Sequence, residues 1–345
     1  MEPKVFAASE DAQKIKKILI VRWGSMGDLV VCSAVMEDIC RHFQNAEIHL
    51  NVEPPWHKLF KHDPRFSKLQ VMKIRKAPRV SSAVAWIKML RQEQYDLIID
   101  LQCNDRSRLL LSFARLVCAA PKLSIATKPA FPYRLSPPQY AKGSHAIDIT
   151  RAAAKGLGIE CLMNKPMIHW DSDTEQSTQA LLAHHRLESG RFVILVPGSS
   201  LSGALKRWGS ENYAAMAKLF AEKGYQHCVI LGGPDEVELC SELAERIGDG
   251  VVNLCGQTEL LQIPVIAREA AFMVSNDTGT AHLAAAADVP MAVICGPTDA
   301  NKVRPIGDKV VALQAPMACF NELPAEQCMA KVSPEQVWQA LEKLR

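Results

Sequence analysis

Short apolar runs alternate along the chain with longer stretches in which apolar residues recur every three or four positions. The run KILIV at 17–21 reads as a strand, followed by a glycine-bearing turn over 22–28 and a helical pattern over 29–43. Residues 48–52 read as a second strand and 69–74 as a third, with a helix over 82–94. The run YDLIIDL at 95–101 is a strongly buried strand, and 107–118 a helix. Leucine and β-branched runs bounded by turns fit a parallel sheet covered on both faces. Their alternation with helices predicts βαβ units. From 122 to 143 the periodicity gives way to prolines and aromatics, the texture of a long loop. Helical periodicity returns at 145–156, and 158–172 reads as a linker.

The second half restarts the same pattern. Strands are expected at 192–196, 227–231, 251–254, 272–275 and 291–295, and helices at 210–223, 235–247, 259–269 and 280–287. Ser210 is placed as an N-cap and Gly224 as the stop of the same helix. A last helix starts near Pro334, with Ser333 as its N-cap. No solenoid-length repeat is visible. The expected organisation is a Rossmann-like domain over 1–160, a linker over 161–175, a second Rossmann-like domain over 176–330 and a C-terminal helix over 331–345.

Composition narrows the class. The length of 345 residues suits two domains, and 48% hydrophobic with 22% charged residues is the balance of a globular protein. The formal charge is only +3, which argues against a uniformly basic nucleic-acid binder. That near-neutrality hides an asymmetry. From Glu53 to Lys142 there are 17 Lys and Arg against 6 Asp and Glu, while the remainder carries 23 against 31. A positive field of this kind suits a phosphorylated, acidic partner and an anionic lipid surface. Eleven scattered cysteines without a C-x-x-C motif read as reduced core residues, pointing to the cytoplasm. No run approaches the ~18 apolar residues that span a bilayer, and the first sixteen residues lack the apolar core of a secretory signal.

Ligands of open α/β sheets bind beyond the carboxyl ends of the strands, which directs attention to four loops. In Trp23-Gly24-Ser25-Met26-Gly27-Asp28, Asp28 either caps the following helix or serves as a general base. Lys206-Arg207 is either a solvated pair or a diphosphate clamp. Gly232-Gly233-Pro234-Asp235-Glu236 suits a ribose contact, and equally an acidic helix start. Ser275-Asn276-Asp277-Thr278-Gly279-Thr280-Ala281-His282 joins a strand to a small-residue helix whose start is suited to an anion. The chain has no G-x-G-x-x-G, no Walker A and no G-x-S-x-G, which disfavours a dehydrogenase, a P-loop kinase and a serine hydrolase.

Taken together, the segments ILIVRWGSMGDLVVCSAV, YDLIIDLQ, FVILVPGSSLSGALKRW, ILGGPDE and VSNDTGTAHLAAAADVPMAVICGPTD resemble glycosyltransferase family 9, the heptosyltransferases of lipopolysaccharide inner-core assembly. The resemblance runs from about Lys17 to the C-terminus in the family's motif order. It implies a GT-B fold, in which two Rossmann-like domains with parallel sheets face a cleft. The first domain would receive an anionic glycolipid of the lipid A–Kdo type, and the second a nucleotide sugar, most often ADP-heptose. It implies inverting transfer without a bound metal or other cofactor, in the cytoplasm or at the inner face of its membrane. The C-terminal helix would pack back on the first domain.

Residue by residue, Asp28 matches the general base and Lys206 the lysine on the donor phosphates, these two being the catalytic candidates. Gly198, Ser199, Glu236, Asp277, Thr278, Gly279 and His282 join Lys206 as donor-binding candidates, with Glu236 near the ribose. Gly27, Asp105 and Arg106 are the acceptor-binding candidates. The sequence departs from the family pattern at Cys103, where glycine is common, and through 122–143. Competing readings are a same-fold transferase of another nucleotide sugar, a sugar-nucleotide epimerase or hydrolase, and a non-catalytic binding module. Asp28, Lys206 and Asp277 being present together disfavours the last.

Overall fold

The computed structural model describes residues 14–74, 80–199 and 201–345. The chain forms two compact units. One runs to Met163 and includes Met167–His169; the other holds Asn164–Pro166 and Trp170–Arg345.

The first unit contains β1 (Lys17–Val21), α1 (Met26–His42), β2 (Glu47–Val52), β3 (Lys68–Val71), α2 (Val80–Glu93), β4 (Leu97–Asp100), α3 (Asp105–Leu116), β5 (Leu123–Ala126) and α4 (Ala146–Lys155). All pairings in its sheet are parallel, in the order β3-β2-β1-β4-β5. This is the βαβ arrangement that the buried runs predict. Two details differ. The expected loop over 122–143 opens with β5, a short edge strand that its proline-rich surroundings conceal. The third strand stops at Val71.

The core between this sheet, α2 and α3 is built from Leu19, Val21, Ile98, Trp86, Leu90, Leu110 and Ala114, with Trp23 at its edge. Buried Asn51 ties it together. Its Oδ1 accepts from Trp23 Nε1 at 2.8 Å and Trp86 Nε1 at 2.9 Å, and its Nδ2 donates to the Gln70 carbonyl at 2.7 Å. Both indoles can therefore be buried with their N–H groups satisfied.

The second unit contains α5 (Ser172–His184), β6 (Phe192–Val196), α6 (Ser210–Glu222), β7 (His227–Ile230), α7 (Val237–Ile247), β8 (Val251–Asn253), α8 (Gln262–Glu269), β9 (Phe272–Asn276), α9 (Gly279–Ala284), β10 (Met291–Cys295), α10 (Ala300–Val303), β11 (Val310–Gln314), α11 (Ala325–Met329) and α12 (Pro334–Glu342). Its parallel sheet runs β11-β10-β9-β6-β7-β8. Helix α5 begins inside the stretch expected as linker, capped by Asp171, which accepts from Thr174 N–H. It buries only Thr178 and Leu182, so its apolar periodicity is faint. The expected cap of α6 shifts by one position: Gly209, at φ +96°, is the N-cap and Ser210 is the first helical residue. Gly224, at φ +92°, follows that helix as expected.

The C-terminal helix departs from expectation more substantially. α12 begins at Pro334 with Ser333 as its N-cap, but it packs on α6, β10 and β11 of the second unit. Val337, Trp338 and Leu341 are part of that unit's core, where Trp338 meets Phe220 and Phe272 edge-on. Burial of an indole and two aliphatic side chains against this sheet makes the helix part of the second unit, where an association with the first domain had been expected.

The cysteines also divide. Cys319 and Cys328, expected to be reduced, are disulfide-linked, because a short 3₁₀ turn over Met317–Asn321 and α11 bring their Cα atoms to 5.7 Å. Cys32, Cys228, Cys240, Cys255 and Cys295 are free and buried.

Candidate functional site

In the first unit the candidate chemistry lies beyond the carboxyl ends of the adjacent strands β1 and β4. Gly24 takes φ +127°, open to glycine alone at no steric cost, and the chain turns there into α1. Ser25 is the N-cap and Asp28 sits at N3, with Gly27 one position earlier. Asp28 thus has the helix-start role foreseen for it, from N3. Its Oδ2 accepts from Ser25 N–H at 3.2 Å and Ser25 Oγ at 3.0 Å, and lies 3.2 Å from Arg22 Nη2. All three contacts fall on Oδ2, and the side chain is 45% exposed.

Arg22 is itself held in place, its Nη1 donating to the Leu101 carbonyl at 2.6 Å. Trp23 N–H donates to Gln102 Oε1 at 3.0 Å, so the loops after β1 and β4 are laced together. Below them, buried Asp100 accepts from the N–H groups of Gln102 and Cys103 and from Tyr133 O–H. Burial raises its pKa, and those hydrogen bonds oppose the rise. Cys103 has φ +42°, a left-handed conformation that is easiest for glycine. The departure from the family pattern therefore sits where the backbone itself favours glycine.

The other acceptor candidates occupy the first turn of α3. The Asp105 side chain is fully exposed, beside Arg108 at 3.3 Å. Arg106 Nη1 donates to the Ile74 carbonyl at 2.9 Å. Neither has a hydrogen bond or ion pair with Asp28 among those described.

In the second unit the loops after β10, β9, β6 and β7 converge, these strands being neighbours in that order. Asp277, directly after β9, is the hub. Its Oδ2 accepts from Lys206 Nζ at 2.7 Å and Thr298 Oγ1 at 3.1 Å, and its Oδ1 lies 3.7 Å from His282 Nε2. Burial pushes this carboxyl up, but His282 and Lys206 outweigh it and hold the pKa at about 2. Lys206 keeps part of its side chain in the open, while its ammonium is aimed by a buried carboxylate. His282 Nδ1 is buried without a hydrogen-bond partner.

Asn276 stitches the loop together: its Oδ1 accepts from Trp208 N–H at 3.0 Å, and its Nδ2 donates to the Pro197 and Gly198 carbonyls. Trp208 Nε1 in turn donates to the Val332 carbonyl at 2.8 Å. Thr278 caps α9 through Ala281 N–H, and Gly279 begins that helix.

Gly198 and Glu236 meet directly. A Cβ at Gly198 would overlap the Glu236 carboxylate, which explains the glycine at the end of β6. Glu236 is buried and accepts from Gly233 N–H at 2.7 Å. Burial raises its pKa, opposed by that hydrogen bond. It fixes the Gly232–Gly233 turn. Ser199 is likewise turned inward, its Oγ donating to the Gly203 carbonyl, while its own carbonyl receives Arg207 Nη2 at 3.0 Å.

The structure therefore joins Lys206, Asp277 and His282, pairs Gly198 with Glu236, and adds residues to which no role had been given. Arg22, Gln102, Asn276 and Thr298 all end a strand or lie shortly after one, and that position is the signal that could have found them. Among the described residues, no group of three or more His, Cys, Asp or Glu is placed to hold a metal ion.

The model of glycosyltransferase family 9 (heptosyltransferase) matches residues 83–333. The chain belongs to this family. Curated relatives of family 9 extend over nearly the whole chain. Lipopolysaccharide heptosyltransferase 1 of Escherichia coli K12 is 27% identical over 330 residues, 92% of this chain and 99% of its own length. Lipooligosaccharide heptosyltransferase 2 of Haemophilus ducreyi is 26% identical, covering 86% of this chain and 88% of its own. Among solved structures, the family 9 glycosyl transferase of Veillonella parvula is similar at a TM-score of 0.78 and 19% identity, over 95% of this chain and 97% of that one. The Escherichia coli heptosyltransferase WaaC with ADP is similar at 0.73 and 23% identity, over 95% and 100%. The two parallel-sheet α/β units are those of the GT-B glycosyltransferases.

Proposed function

We propose that this family 9 enzyme moves heptose from ADP-heptose to an inner-core acceptor of lipopolysaccharide, inverting the anomeric centre. The observation that carries the reading is the Lys206–Asp277–His282–Thr298 cluster at the strand ends of the second unit. It presents an aimed, partly open ammonium where a diphosphate can lie. The length over which the lipopolysaccharide heptosyltransferases match supports the sugar and the acceptor.

In the reaction, an acceptor hydroxyl attacks the anomeric carbon as the bond from that carbon to the diphosphate oxygen breaks. ADP leaves with the electron pair. Asp28 takes the hydroxyl proton at Oδ1, since Oδ2 carries its contacts to Ser25 and Arg22. Arg22 and Ser25 fix the carboxylate, so no reorientation is needed during proton transfer. Charge developing on the diphosphate is met by Lys206 and by the start of α9 at Thr278 and Gly279. Because Asp277 already aims Lys206, the stabilisation is preorganised. The Gly232–Gly233 turn, held by Glu236, and the backbone at Gly198 and Ser199 form the bed for the nucleoside. Asp105, Arg106 and Gly27 line the acceptor side. No cofactor beyond the nucleotide sugar is required.

The basic excess of residues 53–142 suits a phosphorylated glycolipid, which puts the enzyme at the cytoplasmic face of the inner membrane. The contact proposed is a peripheral one; among the described residues no helix is long and apolar enough to cross a membrane. The test is ADP release from a panel of nucleotide sugars with and without core acceptor. The proposal expects release with ADP-heptose that depends on acceptor. Release from donor alone at the full rate would make this a hydrolase or epimerase.

A further inference from the structure

Helix α3 has an exposed apolar face. Leu109, Phe113 and Leu116 recur at helical spacing along one side and are 58%, 51% and 79% exposed. Its opposite side, with Leu110, Leu111 and Ala114, fills the core, so the outer stripe is not needed to hold the helix. Phe131, 74% exposed, adds to the stripe from the following loop, placed beside α3 by Arg108 Nε, which donates to the Phe131 carbonyl at 3.2 Å. Exposed aromatic and leucine side chains gathered in this way mark an interaction surface.

The charge around the stripe indicates what it meets. From Asp105 to Lys142 there are seven Lys and Arg and a single acid, Asp105. Lys122, Lys128 and Arg134 are exposed. Arg91 reaches the end of α3, donating to the Val117 carbonyl at 2.7 Å. Arg115 lies near enough to Arg134 that, beyond the effect of burial, the second guanidinium lowers its pKa further. Two neighbouring cations with no ion pair among the described residues fit an anionic counter-surface. Leucine and phenylalanine flanked by arginine and lysine is the chemistry of a segment lying in the interface of an anionic bilayer, the rings in the acyl boundary and the cations among the headgroups.

We propose that the outer face of α3, with Leu109, Phe113, Leu116 and Phe131, docks the enzyme on an anionic membrane. This rests on the reading of the acceptor as a membrane glycolipid and names the surface that brings the acceptor unit to it.

The experiment is flotation of the full chain with acceptor-free vesicles, of phosphatidylcholine alone or with roughly a third phosphatidylglycerol. Wild type should float with the anionic vesicles and much less with the neutral ones. L109S/F113S should bind anionic vesicles on the order of tenfold more weakly, and F131S less severely in the same direction. Each should keep wild-type turnover on a deacylated, water-soluble core acceptor, which also shows that it is folded. Wild type that ignores anionic vesicles, or L109S/F113S that floats as wild type does, overturns the proposal. So does a wild-type dimer that L109S/F113S splits without vesicle binding, which assigns the face to a second copy. Absence of turnover by wild type on the soluble acceptor would instead strike the transferase reading and leave the flotation result to stand alone.

Discussion

Asp28 and Asp277 each come shortly after an inner strand, one in each unit, and they are built to opposite specifications. Asp277 is buried, engages both oxygens with Lys206, Thr298 and His282, and stays ionised down to a pH of about 2. Asp28 is nearly half exposed and concentrates its contacts on one oxygen. A buried carboxylate locked by an ammonium and further hydrogen-bonding partners is a poor proton acceptor and a good strut. One that keeps an oxygen clear of the described contacts, oriented by a serine and an arginine, can take a proton from a substrate. In the proposed mechanism the comparison separates the residue that would perform proton transfer from the one that aims charge, although both are aspartates at helix starts.

The largest expected effect breaks the chemistry and spares the donor. Asp28→Ala should reduce kcat by on the order of 10³-fold while leaving calorimetric ADP affinity within about twofold. Turnover near the wild-type rate would remove Asp28 as the base. Next, Lys206→Ala should lower kcat on the order of 10²-fold and weaken ADP binding as well, since the same ammonium meets the diphosphate in both states. ADP binding equal to wild type would show that Lys206 serves only Asp277.

Asp277→Asn tests the strut. Its folded pKa of about 2 lies below the ordinary 3.8, so its stabilisation is present above the ordinary value and lost as pH falls towards 2. The variant should lose about 2 kcal/mol in a denaturant melt at neutral pH, and its stability should fall less than that of wild type on acidification through that window. Identical acid profiles would mean that the ion pair adds nothing to the fold. The smallest effect is at Arg22. Arg22→Gln should cost about tenfold in kcat with donor binding unchanged, and Arg22→Lys should recover part of it. A change in donor affinity would place Arg22 outside the orienting role.

Much of the fold is legible in the chain because parallel strands buried on both faces are written as unbroken apolar runs, as in Lys17–Val21 and Phe192–Val196. Edge strands and peripheral helices carry less of that signal. β5 is short and set among prolines, β11 is only partly buried, and α5 buries two residues of thirteen. The motif loops reveal the chemistry-bearing residues, since strand ends punctuated by glycine stand out. Their wiring is a different matter. That Asn276 binds Trp208, or that Arg22 reaches Leu101, depends on which strands become neighbours, and sheet order is not written in any local pattern. For the same reason, nothing in the amphipathic run at 334–342 shows which unit it will cover. That is decided by the surface left open between α6, β10 and β11.

The placement of that last helix orders events during synthesis. Trp208, two residues beyond Lys206, is anchored by the Val332 carbonyl, and Val337, Trp338 and Leu341 complete the core beneath it. A chain emerging from the ribosome can close its first unit once residue 169 is out. The second unit cannot close until residue 341 has emerged. For the whole of that interval the nascent protein would carry a complete first unit, with the surface proposed for lipid, beside a second unit whose core is still open.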